Sequence, residues 1–380
     1  MIISILSEIK SGENRVAATP ETVKKMVALG CRVQVQTGAG GGAFISDAAY
    51  SGAGAKLVSA KDALKAEVIL KVRAPQPSEI KAMQAGTVLI GMLEPFNQPQ
   101  LKVMAAQGIT AFALEVLPRN SRAQSMDVLS SQANVAGYKA ALLGSHYFQR
   151  FMPMLMTSAG TVKAARVLVL GAGVAGLQAI ATAKRLGAVV EASDVRPAVK
   201  EQIESLGAKF LDVPYETEEE KLIAAGEGGY ARPMPQQWLA RQAQLVGQRV
   251  AEADIVISSA LILGHEPPIL MDAETVQKMK PGSVIIDMAA GSGDLLLEKS
   301  GAGNCSLTEA NKVVVKHGVT IVGHTNLPSL VSVDASAFYA RNILEFLKLI
   351  ISEGKLLIPA DDELVSACLM CKDGQLIEKK

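Results

Sequence analysis

A short apolar run that ends in three closely spaced glycines is the feature that most constrains the fold. Residues 165–170 are Ala-Arg-Val-Leu-Val-Leu, and Gly171, Gly173 and Gly176 follow before a helical pattern that begins at Val174. A buried strand, a tight turn and a helix in this order predict a βαβ unit. In a G-x-G-x-x-G turn, the first glycine permits the turn and the second lets the backbone approach a pyrophosphate. The third glycine allows close packing of helix and strand.

The residues that follow indicate which dinucleotide this turn would bind. A second strand, residues 188–193, ends at Asp194, eighteen residues after Gly176. A carboxylate at this position is expected to bind the adenosine ribose hydroxyls and to repel a 2′-phosphate. The phosphates would lie on the helix N-terminus at Val174 and Ala175, where free N–H groups favour negative charge. The sequence therefore predicts an NAD(H) site rather than an NADP(H) site; the alternative is a structural glycine turn followed by an unrelated acid.

Length and composition exclude several classes of protein. A chain of 380 residues with 49% hydrophobic residues is expected to form two globular domains. A net charge of +1 predicts no attraction to nucleic acid or to an anionic membrane surface. The sequence contains no signal peptide pattern and no uncharged apolar run of about 18 residues, so we expect a cytoplasmic chain that does not itself span a membrane.

Cysteine and histidine spacing predicts no disulfide framework and no metal site. The four cysteines are few and scattered, and only Cys368 and Cys371 form a C-x-x-C pair. No second pair or histidine follows it, and a turn at 372–374 comes next. We therefore expect free thiols in a C-terminal strand. The four histidines lack metal-ligand spacing.

The first third of the chain alternates short apolar runs with helical patterns, as expected of a doubly wound domain. The predicted strands are Ile2–Ser7, Arg32–Gln36, Val68–Val72, Val88–Met92 and Thr110–Leu114. The predicted helices are Pro20–Leu29, with Thr19 as N-cap, and segments near Asp62–Ala66, Pro77–Met83 and Pro99–Gln107. We expect the glycine-rich residues 38–42 to form a loop rather than a second nucleotide site, because they lack the strand–turn–helix setting.

A second α/β domain follows a polar segment, residues 118–127, and a long helix from about Ser130 to Phe151. Its predicted strands are Val167–Leu170, Val189–Ala192, Lys209–Leu211, Ile255–Ser258, Val284–Asp287 and Thr320–Val322. The overall prediction is an α/β fold of two doubly wound Rossmann-like domains, separated by a cleft and joined by long helices. The first would contain residues 1–130 and about 330–380, and the second residues 131–329.

An insertion over about 214–244 interrupts the second domain between its third and fourth strands. It begins with an acidic run at 216–220 and includes a Gly- and Pro-rich stretch that carries Tyr230 and Met234. Such a composition is typical of a mobile lid; a surface loop without a role is the alternative. After this domain we expect a helix at Ser336–Ser352, and Leu356–Ile358 and Cys368–Met370 would return to the first domain.

Residues suited to proton transfer are scarce near the predicted site. Oxidation of a metabolite by NAD normally needs a positioned acid or base. The inter-domain segment offers Arg119, Gln124, Asp127 and Ser130, of which arginine and glutamine do not exchange protons at neutral pH. Hydride transfer between two nicotinamide rings requires only that the rings be held face to face. The sequence therefore favours transfer between nucleotides over a dehydrogenase.

The chain closely resembles the NAD(H)-binding component, domain I, of proton-translocating nicotinamide nucleotide transhydrogenases over nearly all its residues. The resemblance is carried by residues 119–132, 171–187, 193–196, 229–231 and 323–329. It implies that Arg119, Gln124, Asp127 and Ser130 orient the nicotinamide.

The same resemblance implies the remaining contacts to NAD(H) and the partners. The implied cofactor-binding residues are Gly171, Gly173, Val174, Ala175, Gly176, Asp194, Val195, Arg196, Gly229, Tyr230, Met234, Gln242 and Leu261. Tyr230 and Met234 would close over the nucleotide. A separate component would hold NADP(H), and membrane components would move protons. We expect a homodimer, peripheral on the cytoplasmic face of the membrane, and either one subunit of several or a fragment of a longer chain.

Two other functions remain open. Alanine dehydrogenase belongs to the wider family, and Arg15 and Lys71 lie in segments similar to its substrate-binding segments. However, the chain has Leu89–Leu93 where that enzyme has its catalytic histidine, and Gly291 where it has a catalytic aspartate. A non-catalytic NAD(H) sensor would explain the binding site but not the polar segment at 119–127.

Overall fold

Two compact units make up the chain in the computed structural model, which describes residues 1–225, 234–261, 265–291 and 303–377. Unit 1 is Met1–Gln132 with Pro328–Lys380, and unit 2 is Ala133–Leu327. Each unit contains a mainly parallel sheet whose strand order reverses once, so the predicted doubly wound α/β fold is confirmed. In the described part of the chain, no helix combines the length and the apolarity needed to cross a bilayer.

The N-terminal elements follow the predicted β–α alternation. In chain order they are β1 (Ile2–Ile5), α1 (Pro20–Ala28), β2 (Arg32–Gln36), α2 (Asp47–Gly52), β3 (Lys56–Val58), α3 (Ala60–Ala63), β4 (Val68–Leu70), α4 (Pro77–Ala82), β5 (Val88–Gly91), α5 (Gln98–Ala106) and β6 (Thr110–Ala113). Thr19 caps α1 through a reciprocal capping box with Thr22, as its position before Pro20 predicts. Several strands end one or two residues earlier than predicted, and α2 and β3 were not predicted.

The middle of the chain contains the second sheet, the helices around it and a separate two-stranded hairpin. In chain order its elements are α6 (Val128–Tyr147), β7 (Leu155–Thr157), β8 (Gly160–Val162), β9 (Arg166–Leu170), α7 (Val174–Arg185), β10 (Val189–Ser193), α8 (Lys200–Ser205), β11 (Lys209–Phe210), α9 (Glu218–Ala225), α10 (Gln236–Glu252), β12 (Ile255–Ser258), α11 (Ala273–Gln277), β13 (Val284–Asp287), β14 (Val313–Lys316) and β15 (Val319–Val322). The order of this sheet is β11-β10-β9-β12-β13-β15-β14, and only β14 is antiparallel to its neighbour.

The C-terminal elements complete unit 1. They are α12 (Ser332–Ile350), β16 (Ile351–Ser352), β17 (Lys355–Leu356), α13 (Glu363–Cys368), β18 (Leu369–Lys372) and β19 (Gln375–Leu376). The sheet of unit 1 has the order β19-β18-β6-β5-β4-β1-β2-β3. As predicted, the region of Cys368–Met370 returns to this sheet, where β18 pairs antiparallel with β6.

Leu356–Ile358 lies in unit 1, with Leu356 in a two-stranded hairpin of β16 and β17 outside the main sheet. One detail of the C-terminal prediction is wrong. Cys368 ends a helix instead of lying in a strand, because Asp362 caps that helix through the amides of Leu364 and Val365. Cys368 and Cys371 are buried and form no disulfide.

The predicted loop at 214–244 is wrong over most of its length, because α9 and the first half of α10 lie within it. The two helices are tied together by Arg241, whose Nη2 lies 2.7 Å from both carboxylate oxygens of Glu220. Trp238 of α10, 1% exposed, forms an apolar cluster with Val213 and Met234, and Ile223 of α9 packs against this cluster. The glycine-rich centre at 226–233 lies outside the described residues.

A glycine in α6 sets how closely that helix approaches the glycine turn of unit 2. A Cβ built on Gly137 would lie 2.0 Å from the carbonyl oxygen of Ala175, in the first turn of α7. Gly144, further along the same helix, would similarly place a Cβ 2.9 Å from Ile255 Cγ2. These two glycines therefore allow α6 to pack directly against the helix that begins at the turn and against the neighbouring strand.

Gly137→Ala is expected to lower the free energy of unfolding by about 2 kcal/mol, because overpacking outweighs the gain in helix propensity. Gly247→Ala in α10 is the matched control, since its Cβ would have no neighbour within 4 Å. That variant is expected to gain about 0.5–1 kcal/mol. Urea denaturation of both variants checks the difference; equal stabilisation by both would show that α6 does not contact α7 closely.

Candidate dinucleotide-binding site

The three glycines predicted to form a phosphate turn have three different surroundings. Strand order in unit 2 reverses between β9 and β12, and the turn follows β9 at this switch point, where α/β sheets bind ligands. Gly171 has φ +91°, which favours glycine. A Cβ on Gly176 would lie 1.9 Å from the Gly171 carbonyl oxygen, whereas one on Gly173 would have no protein atom within 4 Å. The space next to Gly173 is therefore open to a ligand.

The N-terminus of α7 has the properties of an anion site. Gly173 is its N-cap, makes no side-chain capping bond, and no acidic residue occupies the first turn. The first N–H groups of such a helix have no intrahelical acceptor and add to the positive end of the helix dipole. Val174 is 40% exposed at this end. This arrangement suits a pyrophosphate.

Asp194 lies beside this turn and is already fully hydrogen bonded. Its Oδ2 accepts from the amide of Ala172 at 2.7 Å, and its Oδ1 from the amide of Arg196 at 2.8 Å. The Arg196 guanidinium donates to both oxygens at 2.9 Å, and this hydrogen bonding raises the pKa of Arg196. Four donors fill the acceptor sites of a carboxylate. To bind ribose hydroxyls, Asp194 must therefore release part of its contact with Arg196, whose side chain is 23% exposed.

The other predicted contacts in unit 2 lie on three segments. Val195 packs with Met234 against Trp238, and Tyr215 stacks on the Trp238 ring at 6.0 Å. Gln242 lies on α10, and Leu261, 48% exposed, follows β12. Gly229 and Tyr230 lie outside the described residues. The structure thus connects Met234 to Val195, next to Asp194, through one apolar cluster.

One residue that contacts the turn was missed by sequence reasoning. Ser259 directly follows β12, and its hydroxyl donates to the Gly171 carbonyl oxygen at 3.0 Å. Its amide donates to the Leu170 carbonyl at 2.8 Å. The available signal was its place after a parallel strand, which is where ligand contacts concentrate.

The predicted nicotinamide residues lie in unit 1, three of them on the segment that leads to α6 and Ser130 in its first turn. Asp127 accepts from the amide of Ser130 at 2.9 Å and from its hydroxyl at 2.6 Å, so these two predicted residues contact each other. Gln124 begins a 3₁₀ turn at Gln124–Met126, and Arg119 and Gln124 are both exposed. The neighbouring Ala123 and Met126 are buried and anchor the segment. Exposed polar side chains on an anchored segment can orient a ligand ring.

Arg15, which resembles a substrate-binding arginine of alanine dehydrogenase, lies in a buried ion-pair network. Its guanidinium contacts both carboxylate oxygens of Glu13 at 2.7 and 2.6 Å, and donates to Gln132 at 2.7 Å. Arg73 donates to the same carboxylate at 2.9 Å. Burial acts to raise the pKa of Glu13, but Arg15 and Arg73 together lower it to about 2. Glu13 thus forms with Arg15 the paired hydrogen bonds that a substrate carboxylate would form.

Lys71 is likewise held in buried ion pairs with carboxylates of the same unit. Its ammonium lies 2.8 Å from Glu79 and 3.4 Å from Glu8, and its side chain is 1% exposed. Burial raises the pKa of Glu8, and the charge of Lys71 opposes this shift. Lys71 follows β4, and Glu8 follows β1, at the point where the strand order of unit 1 reverses. This crevice is therefore filled by the protein's own carboxylates.

Gly291 cannot be replaced by a carboxylate without rearrangement. Its φ is +68°, and a Cβ there would lie 2.6 Å from Thr325 Cγ2. No group of three or more His, Cys, Asp or Glu side chains in the described ranges is arranged to hold a metal ion.

Comparisons with known proteins show the family to which the chain belongs. Models of the N-terminal and C-terminal domains of alanine dehydrogenase/PNT match residues 4–136 and 140–379. The chain is 49% identical to the first part of the NAD(P) transhydrogenase alpha subunit of Rhodospirillum rubrum, with 99% of this chain and 98% of the relative covered. It is 40% identical to NAD(P) transhydrogenase subunit alpha of Haemophilus influenzae, covering 99% of this chain and 72% of that protein. It is 29% identical to alanine dehydrogenase of Bacillus subtilis, covering 99% and 92%.

Solved structures give the same relationship. A transhydrogenase from Sinorhizobium meliloti superposes with a TM-score of 0.84 at 43% identity, over 99% of each chain. An L-alanine dehydrogenase superposes with a TM-score of 0.80 at 27% identity, over 99% of this chain and 97% of the other. The chain therefore belongs to the alanine dehydrogenase/PNT family, and within it is similar to NAD(P) transhydrogenase alpha subunits.

Proposed function

We propose that this chain is the NAD(H)-binding component of a proton-translocating transhydrogenase. It holds NADH on the glycine turn of unit 2, and hydride passes directly to NADP⁺ held by a partner subunit. The proposal rests on two observations taken together. The glycine turn beside Asp194 is open to a phosphate, and the residues that correspond to the substrate-binding and catalytic residues of alanine dehydrogenase are not available for that reaction. Arg15 and Lys71 bind internal carboxylates, and Gly291 excludes a catalytic aspartate.

Each group of residues has one task in this proposal. The N-terminus of α7 binds the pyrophosphate, and Asp194 binds the adenosine ribose after Arg196 moves. Met234 and Tyr230 cover the nucleotide, and Arg119, Gln124, Asp127 and Ser130 orient the nicotinamide. Because the hydride moves from ring to ring, these residues need to position the rings but not to transfer a proton. Proton movement belongs to membrane components, so this chain works at the cytoplasmic face of the membrane.

Partner dependence tests the proposal. The purified chain should not oxidise NADH alone, and should do so with NADP⁺ once the NADP(H)-binding component of a related transhydrogenase is added. Alanine with NAD⁺ should give no NADH at the same protein concentration, because the substrate positions are filled. Steady alanine-dependent reduction of NAD⁺ would instead establish an alanine dehydrogenase, and NADH binding without turnover under both conditions would favour a sensor.

We further propose that the chain forms a homodimer through the β7–β8 hairpin of unit 2. Among the strands that the structure describes, these two pair with each other alone, from Leu155 with Val162 to Thr157 with Gly160. Met154 is 61% exposed, Met156 71% and the preceding Phe151 55%. An isolated two-stranded hairpin is marginally stable, and clustered apolar exposure marks an association surface. A second copy of the chain would cover these side chains.

Met156→Lys is expected to raise the dimer dissociation constant at least ~100-fold, since a lysine buried without a partner is costly. Val315→Lys is the control, because Val315 is 66% exposed on the edge strand β14. Sedimentation equilibrium measures both. Dissociation by Val315→Lys but not by Met156→Lys would place the interface elsewhere.

A further inference from the structure

A buried carboxylate at the end of β13 accepts hydrogen bonds from five neutral donors of the described residues. Asp287 is 1% exposed and accepts from the amides of Asn304 and Cys305 at 3.1 and 3.0 Å, and from Thr308 Oγ1 at 2.7 Å. The amide of Ala289 and the hydroxyl of Ser258 complete the set at 3.1 and 3.3 Å. Within the described residues, no cation lies within ion-pair distance of this carboxylate. Since a buried charge requires such compensation, these donors are held firmly in place.

Asn304, fixed in this way, holds the segment after β12. It is fully buried, and its Oδ1 accepts from the Ala260 amide at 3.1 Å while its Nδ2 donates to the Ala260 carbonyl at 2.9 Å. The same Nδ2 donates to the Pro268 carbonyl at 2.9 Å. One side chain therefore binds both polar groups of the Ala260 residue. This two-point contact fixes the position and the orientation of the backbone there.

The segment that Asn304 holds contacts the glycine turn directly. Ser259 donates to the Gly171 carbonyl, and a Cβ on Gly171 would lie 3.1 Å from the Ala260 amide nitrogen. Leu261 follows immediately and is exposed. A continuous set of contacts thus runs from Asp287 through Asn304 and residues 259–260 to the turn.

We infer that Asn304 is a positioning residue for the dinucleotide, and that Asp287 in turn positions Asn304. Residues 259–261 form one wall of the nucleotide site, and Asn304 sets the distance of this wall from the Gly171 turn. This role rests on the proposed function, because it concerns the same NAD(H) site. It predicts that loss of the Asn304 side chain weakens nucleotide binding without touching the nicotinamide residues of unit 1.

The test compares Asn304→Ala with Ser283→Ala in the full-length chain. Ser283 is 2% exposed and donates to the Ala253 carbonyl at 3.3 Å at the opposite end of β13, so its loss removes a buried hydrogen bond far from the turn. Asn304→Ala is expected to raise the NADH dissociation constant about 10-fold in a fluorescence titration, whereas Ser283→Ala leaves it unchanged. With an added NADP(H)-binding component, KM for NADH should rise about 10-fold while kcat stays within about twofold. A purely structural loss would lower kcat through the folded fraction and leave KM unchanged.

Further variants keep the inference testable if Asn304→Ala does not fold. Ser259→Ala removes only the contact from the wall to Gly171, and Thr308→Val removes one donor to Asp287 at nearly constant shape. Both are expected to weaken NADH binding, and combining Ser259→Ala with Asn304→Ala should be less than additive because both act on one wall. Wild-type affinity for NADH in Asn304→Ala or in both of the others overturns the inference. Failure of the wild-type chain itself to bind NADH would overturn the proposed function instead.

Discussion

Gly173→Ala is expected to weaken NADH binding on the order of 100-fold, about 2.7 kcal/mol, with little change in the free energy of unfolding. The new methyl group would point into space that is free of protein atoms, and φ of −73° is accessible to alanine. The substitution should therefore lower the affinity for NADH and not the stability of the fold, because the methyl group occupies the point where a pyrophosphate comes closest to the backbone. Titration with NADH and urea denaturation measure the two quantities separately.

Two other glycines provide the controls for this variant. Gly41→Ala also adds a methyl group with no neighbour within 4 Å, but in unit 1, and should change neither quantity. Gly176→Ala would place Cβ 1.9 Å from the Gly171 carbonyl and should lose stability as well as binding. If Gly173→Ala binds NADH as the wild type does, the phosphates do not lie on this turn.

Asp194→Asn is expected to change the cofactor preference by about 100-fold, through weaker NADH binding and stronger NADPH binding together. In the wild-type chain the guanidinium of Arg196 is neutralised by Asp194 through two hydrogen bonds of 2.9 Å. Removing the carboxylate charge ends this neutralisation by Asp194, and arginine is the residue that accommodates a 2′-phosphate in related sites. The same change replaces one of the two acceptor oxygens available to the ribose hydroxyls of NADH with an amide NH2 group, which can only donate.

Separate titrations with NADH and NADPH check this result. Asp212→Asn is the control, because Asp212 also forms an ion pair in unit 2, with Lys200 at 2.7 Å, but is 59% exposed. It should alter neither affinity. An Asp194→Asn variant that still rejects NADPH would show that Arg196 does not reach the 2′ position.

Features that depend on residues within one βαβ unit could be predicted from the sequence. The turn at Gly171–Gly176 and the acid at Asp194 follow from spacing alone, because the strand, the turn and the helix are contiguous and dictate each other's geometry. The buried apolar runs likewise predicted nearly every parallel strand of the two sheets, since such strands are apolar on both faces.

Contacts between residues that are far apart in the sequence could not be predicted from sequence patterns. Asn304 holds Ala260 across 44 positions of sequence, and Ser259 donates to the Gly171 carbonyl across 88 positions. The first half of the helix α10 was wrongly predicted as loop, even though the buried residues Trp238, Val246 and Val250 of this helix have helical spacing. The Gly- and Pro-rich residues just before it outweighed that periodicity.

The transfer of deuterium from the C4 position of NADH tests the central claim most directly. The chain is mixed with an NADP(H)-binding component, NADP⁺ and NADH that carries deuterium at the transferred position, and the products are analysed by mass spectrometry. Direct transfer between rings predicts that the deuterium appears in NADPH and that none enters water. Deuterium released to solvent, or passed to a small metabolite in the absence of the NADP(H)-binding component, would contradict the account.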